Sequence, residues 1–250
     1  MVADLTAIGQ NLEDHPIAAI RYGCPGQISF SSQLTGLASY IVGLRGLLTK
    51  SGLGASILNE TGCFLRSRAD VHNAALQHAF YAITAEMGAE DANFDTGFMF
   101  SMGLMRSGSR GNVFLKSADP KATPGIRYNC FSDPEDMQTK IDGMKRTIEM
   151  AQQTAFYGLR TKELPTVNGV RTDSEIAKWI REEVSTEYHS CSTCRMGIDD
   201  KSVTNSVGLV HETEALRVVD ASIAHHNVTA NLNSTVLVLA DKIADNFKGP

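Results

Sequence analysis

The 250-residue sequence has no apolar run near the ~20 residues that a membrane-spanning helix needs. Its longest runs are Val236 to Ala240 and the stretch from Ile41 to Leu48, which Arg45 interrupts. The chain is therefore expected to be soluble, or at most peripheral to a membrane. It also lacks any run of Lys or Arg. With a formal net charge of -5, that argues against a nucleic-acid binder held by phosphate contacts. Its five cysteines are irregularly spaced, which gives no disulfide framework and suggests a reducing compartment. Met1-Val2-Ala3-Asp4-Leu5 has neither a basic nor an apolar signal region, so no secretory signal is expected. The expected location is the cytoplasm or the membrane periphery. No internal repeat, low-complexity tract or linker is present. Nor is there a Gly-x-Gly-x-x-Gly turn of the kind that cradles a dinucleotide pyrophosphate. Gly52-Leu53-Gly54 comes nearest, but Ile57 stands where the third glycine belongs and no acidic residue follows at the expected distance.

What is present is the composition of an ordinary globular protein, 42% apolar and 20% charged, long enough for one or two domains. Short strands are expected at Ile17 to Tyr22 and Ile28 to Phe30, with Pro25-Gly26 turning between them. Further strands are expected at Gln77 to Ala82, Gly97 to Leu104, Gly111 to Lys116 and Ile126 to Cys130. Apolar residues at helical intervals mark Leu34 to Leu48, and Lys50 to Ala55 reads as a loop. A second helix is capped by Asp133, with Pro134, Glu135 and Asp136 in its first turn. Met137, Ile141, Met144, Ile148 and Ala155 form its apolar face and Gly158 its stop. A third starts at the capping box Thr172-Asp173-Ser174-Glu175, with Ile176, Trp179, Ile180 and Val184 on one stripe. Strands interrupted by peripheral helices, without a βαβ rhythm, predict an α+β fold: an antiparallel sheet with helices on one side.

Three stretches near the C-terminus carry the chemistry. Tyr188-His189-Ser190-Cys191-Ser192-Thr193-Cys194-Arg195-Met196-Gly197 is a loop with a histidine. Leu216-Arg217-Val218-Val219-Asp220-Ala221-Ser222-Ile223 reads as a strand ending in an acid. Asn231-Leu232-Asn233-Ser234-Thr235 begins a helix whose apolar segment ends near Phe247. A helix start offers free N–H groups and partial positive charge to a phosphate, a flavin edge or a developing oxyanion. A histidine nearby offers a proton acceptor that titrates near neutral pH. Taken alone, His189 is more often a hydrogen-bonded core or surface residue, Asn233 a helix cap, and Asp220 a turn former. Cys191 and Cys194 with His189 lack a fourth ligand at zinc-site spacing, and no βαβ context supports a redox pair. No metal is expected there.

These stretches together resemble the C-terminal signature of the glucose-methanol-choline (GMC) family of flavin-dependent alcohol oxidoreductases. That signature reads His-Pro-x-Gly-Thr-Cys-Arg-Met-Gly, then Leu-Arg-Val-x-Asp-Ala-Ser, then Gly-Asn-x-Asn, and the likeness is greatest to the choline dehydrogenase branch. Residues 2–16 resemble the family's Leu-Pro-Gly-Val-Gly-x-Asn-Leu-x-Asp-His segment, Lys50 to Ala55 its lid loop, and Ser107-Gly108-Ser109-Arg110-Gly111 its entry to a strand. The resemblance implies three parts. Residues 1–15 would be a remnant of a flavin-domain segment, 16–186 a substrate-binding domain, and 187–250 the active-site loop and last elements of an incomplete FAD-binding domain. The Rossmann-type half is absent from the sequence.

By the same resemblance, His189 is the base that accepts an alcohol's hydroxyl proton while hydride leaves for flavin N5. Asn233 holds the substrate oxygen, and Asp220, Ala221 and Asn231 contact FAD. The substrate is a small primary alcohol, the product an aldehyde, and the electron acceptor a quinone or oxygen. The rival expectation is an inactive fragment or degenerate copy that binds no flavin alone. Ser190 replaces the usual proline and is expected to loosen the loop; Ala230 and His225 are further departures. Gly23 stands where choline-type members place a glutamate facing the ammonium, which weakens a choline assignment.

Overall fold

The computed structural model describes residues 4–26, 28–59, 61–84, 96–160, 162–163 and 172–246. Two compact units emerge from a chain that passes between them repeatedly. One comprises Met1–Pro16, Met105–Met137 and Thr186–Pro250; the other comprises Ile17–Leu104 and Gln138–Ser185.

The second unit is built on an antiparallel sheet. Its main path runs β2 (Thr61–Leu65), β3 (Leu76–Tyr81), β4 (Gly97–Leu104), β1 (Pro16–Gly23), β7 (Lys162–Glu163). β1 and β4 pair in register from Ile17↔Gly103 to Gly23↔Gly97. Both are buried along their whole length, so they are central strands covered on both faces and read as continuous apolar runs rather than alternating ones. Tyr22, Phe80, Phe98, Phe100 and Phe156 form an aromatic cluster with centroids 5.3–6.2 Å apart, a spacing at which tilted and edge-on rings attract.

Helix α2 (Pro134–Ala151) begins as expected: Asp133 Oδ1 accepts from the Glu135 N–H at 2.9 Å, and Pro134 is its first residue. It packs on the sheet closely enough that a Cβ at Gly143 would meet Met102 Sδ at 2.6 Å and the Leu76 methyls. The fully buried Lys140 donates from Nζ to the Met102 carbonyl. Helix α3 (Asp173–Glu183) has the complete Thr172/Glu175 capping box and buries Ile176, Trp179 and Ile180. α1 (Gly36–Thr49) ends at Lys50 in the left-handed region.

Some expectations fail for local reasons. Ile28 to Phe30 is not a strand: Ile28 closes a turn on the Pro25 carbonyl, and Ser29 Oγ accepts from the Ser31 N–H, leading into a 3-10 turn at Ser31–Gln33. α2 stops at Ala151 rather than Gly158, because Gln153 turns extended and Thr154–Phe156 forms a 3-10 turn. Ala155 therefore lies off the helix. β2 has no counterpart among the expected strands; it pairs β3 while leaving Phe64 half exposed.

The first unit has less regular structure. It holds a hairpin of β5 (Asn112–Phe114) and β6 (Gly125–Arg127), a 3-10 turn at Ala221–Ile223, and α4 (Asn233–Asp245). Leu216 to Val219 forms no strand: within it only Arg217 bridges, to Leu209, and a strand without a continuous partner has no ladder. Phe247 lies outside the described residues. Among those described, no helix is long and apolar enough to cross a membrane.

Candidate active site

The site is assembled in the first unit by three backbone pairings. Glu13 and Cys191 exchange both hydrogen bonds, N–H to carbonyl, at 2.9 and 3.2 Å, and the Glu187 N–H donates to the His15 carbonyl at 3.1 Å. The segment 13–15 therefore runs antiparallel to 187–191 and sets His15 beside His189. On the other side of the loop, the Cys194 and Met196 N–H groups donate to the carbonyls of Ser222 and Ile223 at 2.8 and 2.9 Å. A small apolar cluster of Cys191, Ala224 and Leu232, with Ala221, Val228 and Val236 against it, lies beneath. Because Leu232 sits between Asn231 and Asn233, this cluster brings the loop of His189, the turn of Ala221 and the start of α4 into one packed region.

The histidine loop is held by a buried carboxylate. Asp14, 8% exposed, accepts from the His189 N–H (3.1 Å) and His15 N–H (2.7 Å) at Oδ1. At Oδ2 it accepts from Thr186 Oγ1 (2.5 Å) and Ser190 Oγ (2.6 Å). Asn227 Nδ2 donates to the His189 carbonyl at 3.0 Å. Tyr188 and Ser192 both adopt positive φ, 60° and 70°, an uncommon conformation for side-chain-bearing residues and one that gathers at functional sites. Ser190 does not loosen the loop: its hydroxyl makes an anchor to Asp14 that a proline has no atom to make.

The two imidazoles define one another's tautomers. His15 is almost wholly buried, and burial, followed by the neighbouring His189, lowers its pKa to about 4, so it is neutral at neutral pH. Its Nε2 lies 2.9 Å from the Val228 carbonyl, which only accepts, so His15 Nε2 carries the proton and Nδ1 is bare. His15 Nδ1 is 3.0 Å from His189 Nδ1. His189 must then donate from Nδ1, which leaves its Nε2 as a lone pair. Burial also lowers the His189 pKa, against the pull of Asp14. Glu187 Oε2 stands 3.9 Å from His15 Nδ1 and 3.8 Å from His189 Nδ1.

A second buried acid, Glu13, lies next to Asp14. It accepts from Arg110 Nη2 at 3.0 Å and from the Asn227 N–H at 3.0 Å, and it lies 2.9 Å from His226 Nδ1. Glu13, Asp14, His15, Arg110, His226 and Asn227 line one side of a cleft of about 610 Å³.

The remaining expected site residues are placed as follows. Asp220 Oδ1 accepts from the Ser222 N–H at 2.8 Å and from its hydroxyl, so its side chain makes the turn. Asn231 and Asn233 are exposed. Asn233 is the first residue of α4 rather than its cap; Leu232 takes the cap position, and no side chain caps the helix. Cys191 is buried and burial pushes its pKa up to about 11, with Cys194 raised for the same reason. Both remain thiols at neutral pH, in keeping with packing rather than redox chemistry. Asp14, His15, Glu187 and Asn227 carry the site without having been singled out as site residues from sequence. The adjacent acid and imidazole of Asp14-His15 were the available signal, but 174 residues separate His15 from His189.

A family model described as GMC oxidoreductase matches residues 107–240. Oxygen-dependent choline dehydrogenases of Pseudomonas fluorescens (strain Pf0-1) and Klebsiella pneumoniae (strain 342) are each 36% identical over 249 residues. The match covers all of this chain and 44% and 45% of those relatives. That of Paraburkholderia xenovorans (strain LB400) is 37% identical, with 44% of its length covered. The chain thus spans less than half the length of the curated relatives it matches. Among solved structures, a variant of formate oxidase of Aspergillus oryzae RIB40 superposes with a TM-score of 0.87 at 22% identity, covering 97% of this chain and 47% of that one. An FAD-dependent oxidoreductase from Chaetomium thermophilum gives 0.81 at 20% identity, covering 99% and 49%. The chain belongs to the GMC oxidoreductase family.

Proposed function

We propose that this chain is the substrate-side and active-site portion of an FAD-dependent alcohol oxidoreductase that converts a small primary alcohol to an aldehyde. The observation that carries the reading is the hydrogen-bonded chain Val228–His15–His189. A buried, neutral His15 accepts from His189 Nδ1, so His189 presents an unprotonated Nε2. Among the described residues that nitrogen has no hydrogen-bond partner. An alcohol releases hydride readily only as its hydroxyl proton leaves, and a neutral imidazole in hydrogen-bond reach of that proton is suited to take it. Asn233, an amide that donates without accepting a proton, would hold the oxygen as negative charge develops. His15 acts as a positioning residue through the tautomer, and Asp14 as one through the loop backbone.

FAD, when bound, supplies the acceptor for the hydride. The residues present fit such a group at the start of α4. With no side chain capping the helix, its first N–H groups and partial positive charge suit an electron-rich ring edge. Asn231, Ala221 and the backbone around Asp220 would line that position. Residues 187–250 with 1–15 would form the flavin-facing part, and 16–186 the substrate domain. Electrons would pass on to oxygen or a quinone; the oxygen-dependent relatives favour oxygen.

Reconstitution tests this. The chain is purified, FAD is added, and flavin absorbance is recorded along with turnover of primary alcohols. His189→Ala should lower turnover by roughly 10²–10⁴ while flavin binding changes little; unchanged turnover would remove His189 from the role. The second reading, that these 250 residues do not catalyse alone, is favoured by the share of the relatives' length they span and by the missing pyrophosphate turn. A colourless chain that gains no activity with FAD would establish it.

A further inference from the structure

We infer that His15, Glu187 and His189 form a binding site for one first-row divalent cation of the zinc type. His15 Nδ1, His189 Nδ1 and Glu187 Oε2 lie within 4.8 Å of one another. Their separations of 3.0, 3.9 and 3.8 Å make a triangle whose centre is about 2.1 Å from each atom, the length of a zinc–nitrogen or zinc–oxygen bond. Two imidazoles and one carboxylate are a donor set for Zn²⁺, Co²⁺ or Fe²⁺, with water completing the shell.

Three further features fit a built site. His15 Nε2 donates to the Val228 carbonyl, the outer-shell bond that fixes a metal-binding imidazole with its other nitrogen toward the ion. Asp14 holds the backbone of both histidines, so two ligands are oriented before any ion arrives. His15 also lines the cleft that Glu13, Asp14 and Asn227 share. Neither Cys191 nor Cys194 belongs to the set, so this site differs from the Cys/His module excluded on spacing.

The consequence rests on the proposed role of His189. In the metal-free site the His189 proton sits on Nδ1. A cation at Nδ1 takes that nitrogen's lone pair, so a neutral ring must carry its proton on Nε2, where it can no longer accept one. The bound cation would hold the base in its inactive tautomer, reversibly, at a position behind the reacting face.

The test needs no turnover. The chelator-treated 250-residue chain is titrated with Zn²⁺ by calorimetry and, in parallel, with Co²⁺ by visible absorption, after circular dichroism has shown it folded. One ion per chain is expected, with Co²⁺ ligand-field bands and no thiolate charge-transfer band. Glu187→Gln, which preserves shape, should weaken binding at least tenfold, and His15→Ala should do the same. The Cys191→Ser/Cys194→Ser double variant should bind like the parent. Absence of stoichiometric binding by the folded parent chain, a thiolate band, or undiminished affinity in Glu187→Gln would overturn the site. The base reading fails separately, on the metal-free turnover of His189→Ala.

Discussion

Phe98 and Asp14 are both nearly inaccessible, at 1% and 8% exposure, yet they hold their surroundings by opposite means. Phe98 sits in the sheet unit among Tyr22, Phe80, Phe100 and Phe156 and contributes area and ring packing. Asp14 sits in the histidine-bearing unit and contributes two acceptor oxygens to four donors. The contrast extends beyond these two. The sheet unit is ordered by ladders and apolar strands. Among its described residues the other unit holds a hairpin, the first turn of α2 and α4, and its loops close on buried carboxylates: Glu13, Asp14, and Asp136, which collects Ser107, Gly108 and Ser109. A close-packed apolar core tolerates substitutions that conserve volume. A carboxylate surrounded by donors tolerates none that removes an oxygen, because every orphaned donor is left desolvated. A site that must aim an imidazole benefits from the second kind of holding.

The largest effects should expose that difference. Phe98→Ala should destabilise by about 3–5 kcal/mol through lost transfer energy and a cavity. Asp14→Ala should cost about as much through four unsatisfied donors. Urea midpoints on both variants provide the measurement. The conservative changes should then diverge: Phe98→Leu should recover most of its loss, whereas Asp14→Leu, branched like the native side chain but without its oxygens, should recover none. An Asp14→Leu variant as stable as the parent would break the comparison.

Next in size is a pH effect that both units share. His15 and His78 are each pushed down to about 4, chiefly by burial, with His189 adding to the first and Lys140 to the second. The folded chain thus favours both imidazoles neutral, while the unfolded chain protonates them near pH 6.5. As pH falls below 6.5 the unfolded state gains protons first, so stability drops until about pH 4 and then flattens in these two terms. Each group contributes on the order of 3 kcal/mol over that window. His78 Nε2 lies 2.8 Å from Thr147 Oγ1 inside the sheet unit. His78→Gln should flatten the profile without touching the histidine loop. His15→Gln should flatten it too, and in a reconstituted enzyme should also shift the pH–rate profile, because the tautomer of His189 is no longer imposed. Equal kinetic effects from both variants would deny His15 its positioning role.

Smaller again is Ser190→Ala. Loss of its hydroxyl bond to the Asp14 carboxylate should cost about 2 kcal/mol, read from the melting temperature. Ser190→Pro, the residue the family favours, should lose the same bond but regain part of the cost by stiffening the unfolded chain.

The same contrast explains what the sequence conveyed. β1 and β4 were legible as short apolar runs, α2 and α3 because burial of one helix face imposes a period and because the Thr172 box and the Asp133-Pro134 start are local codes, and α1 from apolar residues at helical intervals although none of them is buried. The signature around His189, Asp220 and Asn233 was legible as a resemblance. Asp14 and His15 were not legible as partners of His189, since nothing periodic links residues 174 or 175 positions apart, and Glu187, two positions away, carries no local code that marks it. Ser190 was read by the proline it replaces, and only the position of Asp14 reveals what a hydroxyl adds. Leu216 to Val219 misled because its residue types suit a strand, while pairing depends on neighbours the window does not contain.

Asp220 offers the smallest effect and the sharpest division between a local code and a site. Its carboxylate caps the 3-10 turn at Ala221–Ile223, as Thr172 caps α3. Asp220→Ala and Thr172→Ala should each cost about 1 kcal/mol, the worth of a capping acceptor. Asp220→Asn retains the Oδ1 acceptor for the Ser222 N–H and should cost less than about 0.5 kcal/mol. If Asp220 serves the site only by shaping the backbone beside Ala221, FAD affinity of the Asn variant, measured by flavin fluorescence quenching, should match the parent. A severalfold loss of affinity with the turn intact would mean that the negative charge itself, and not the turn it caps, acts on the cofactor.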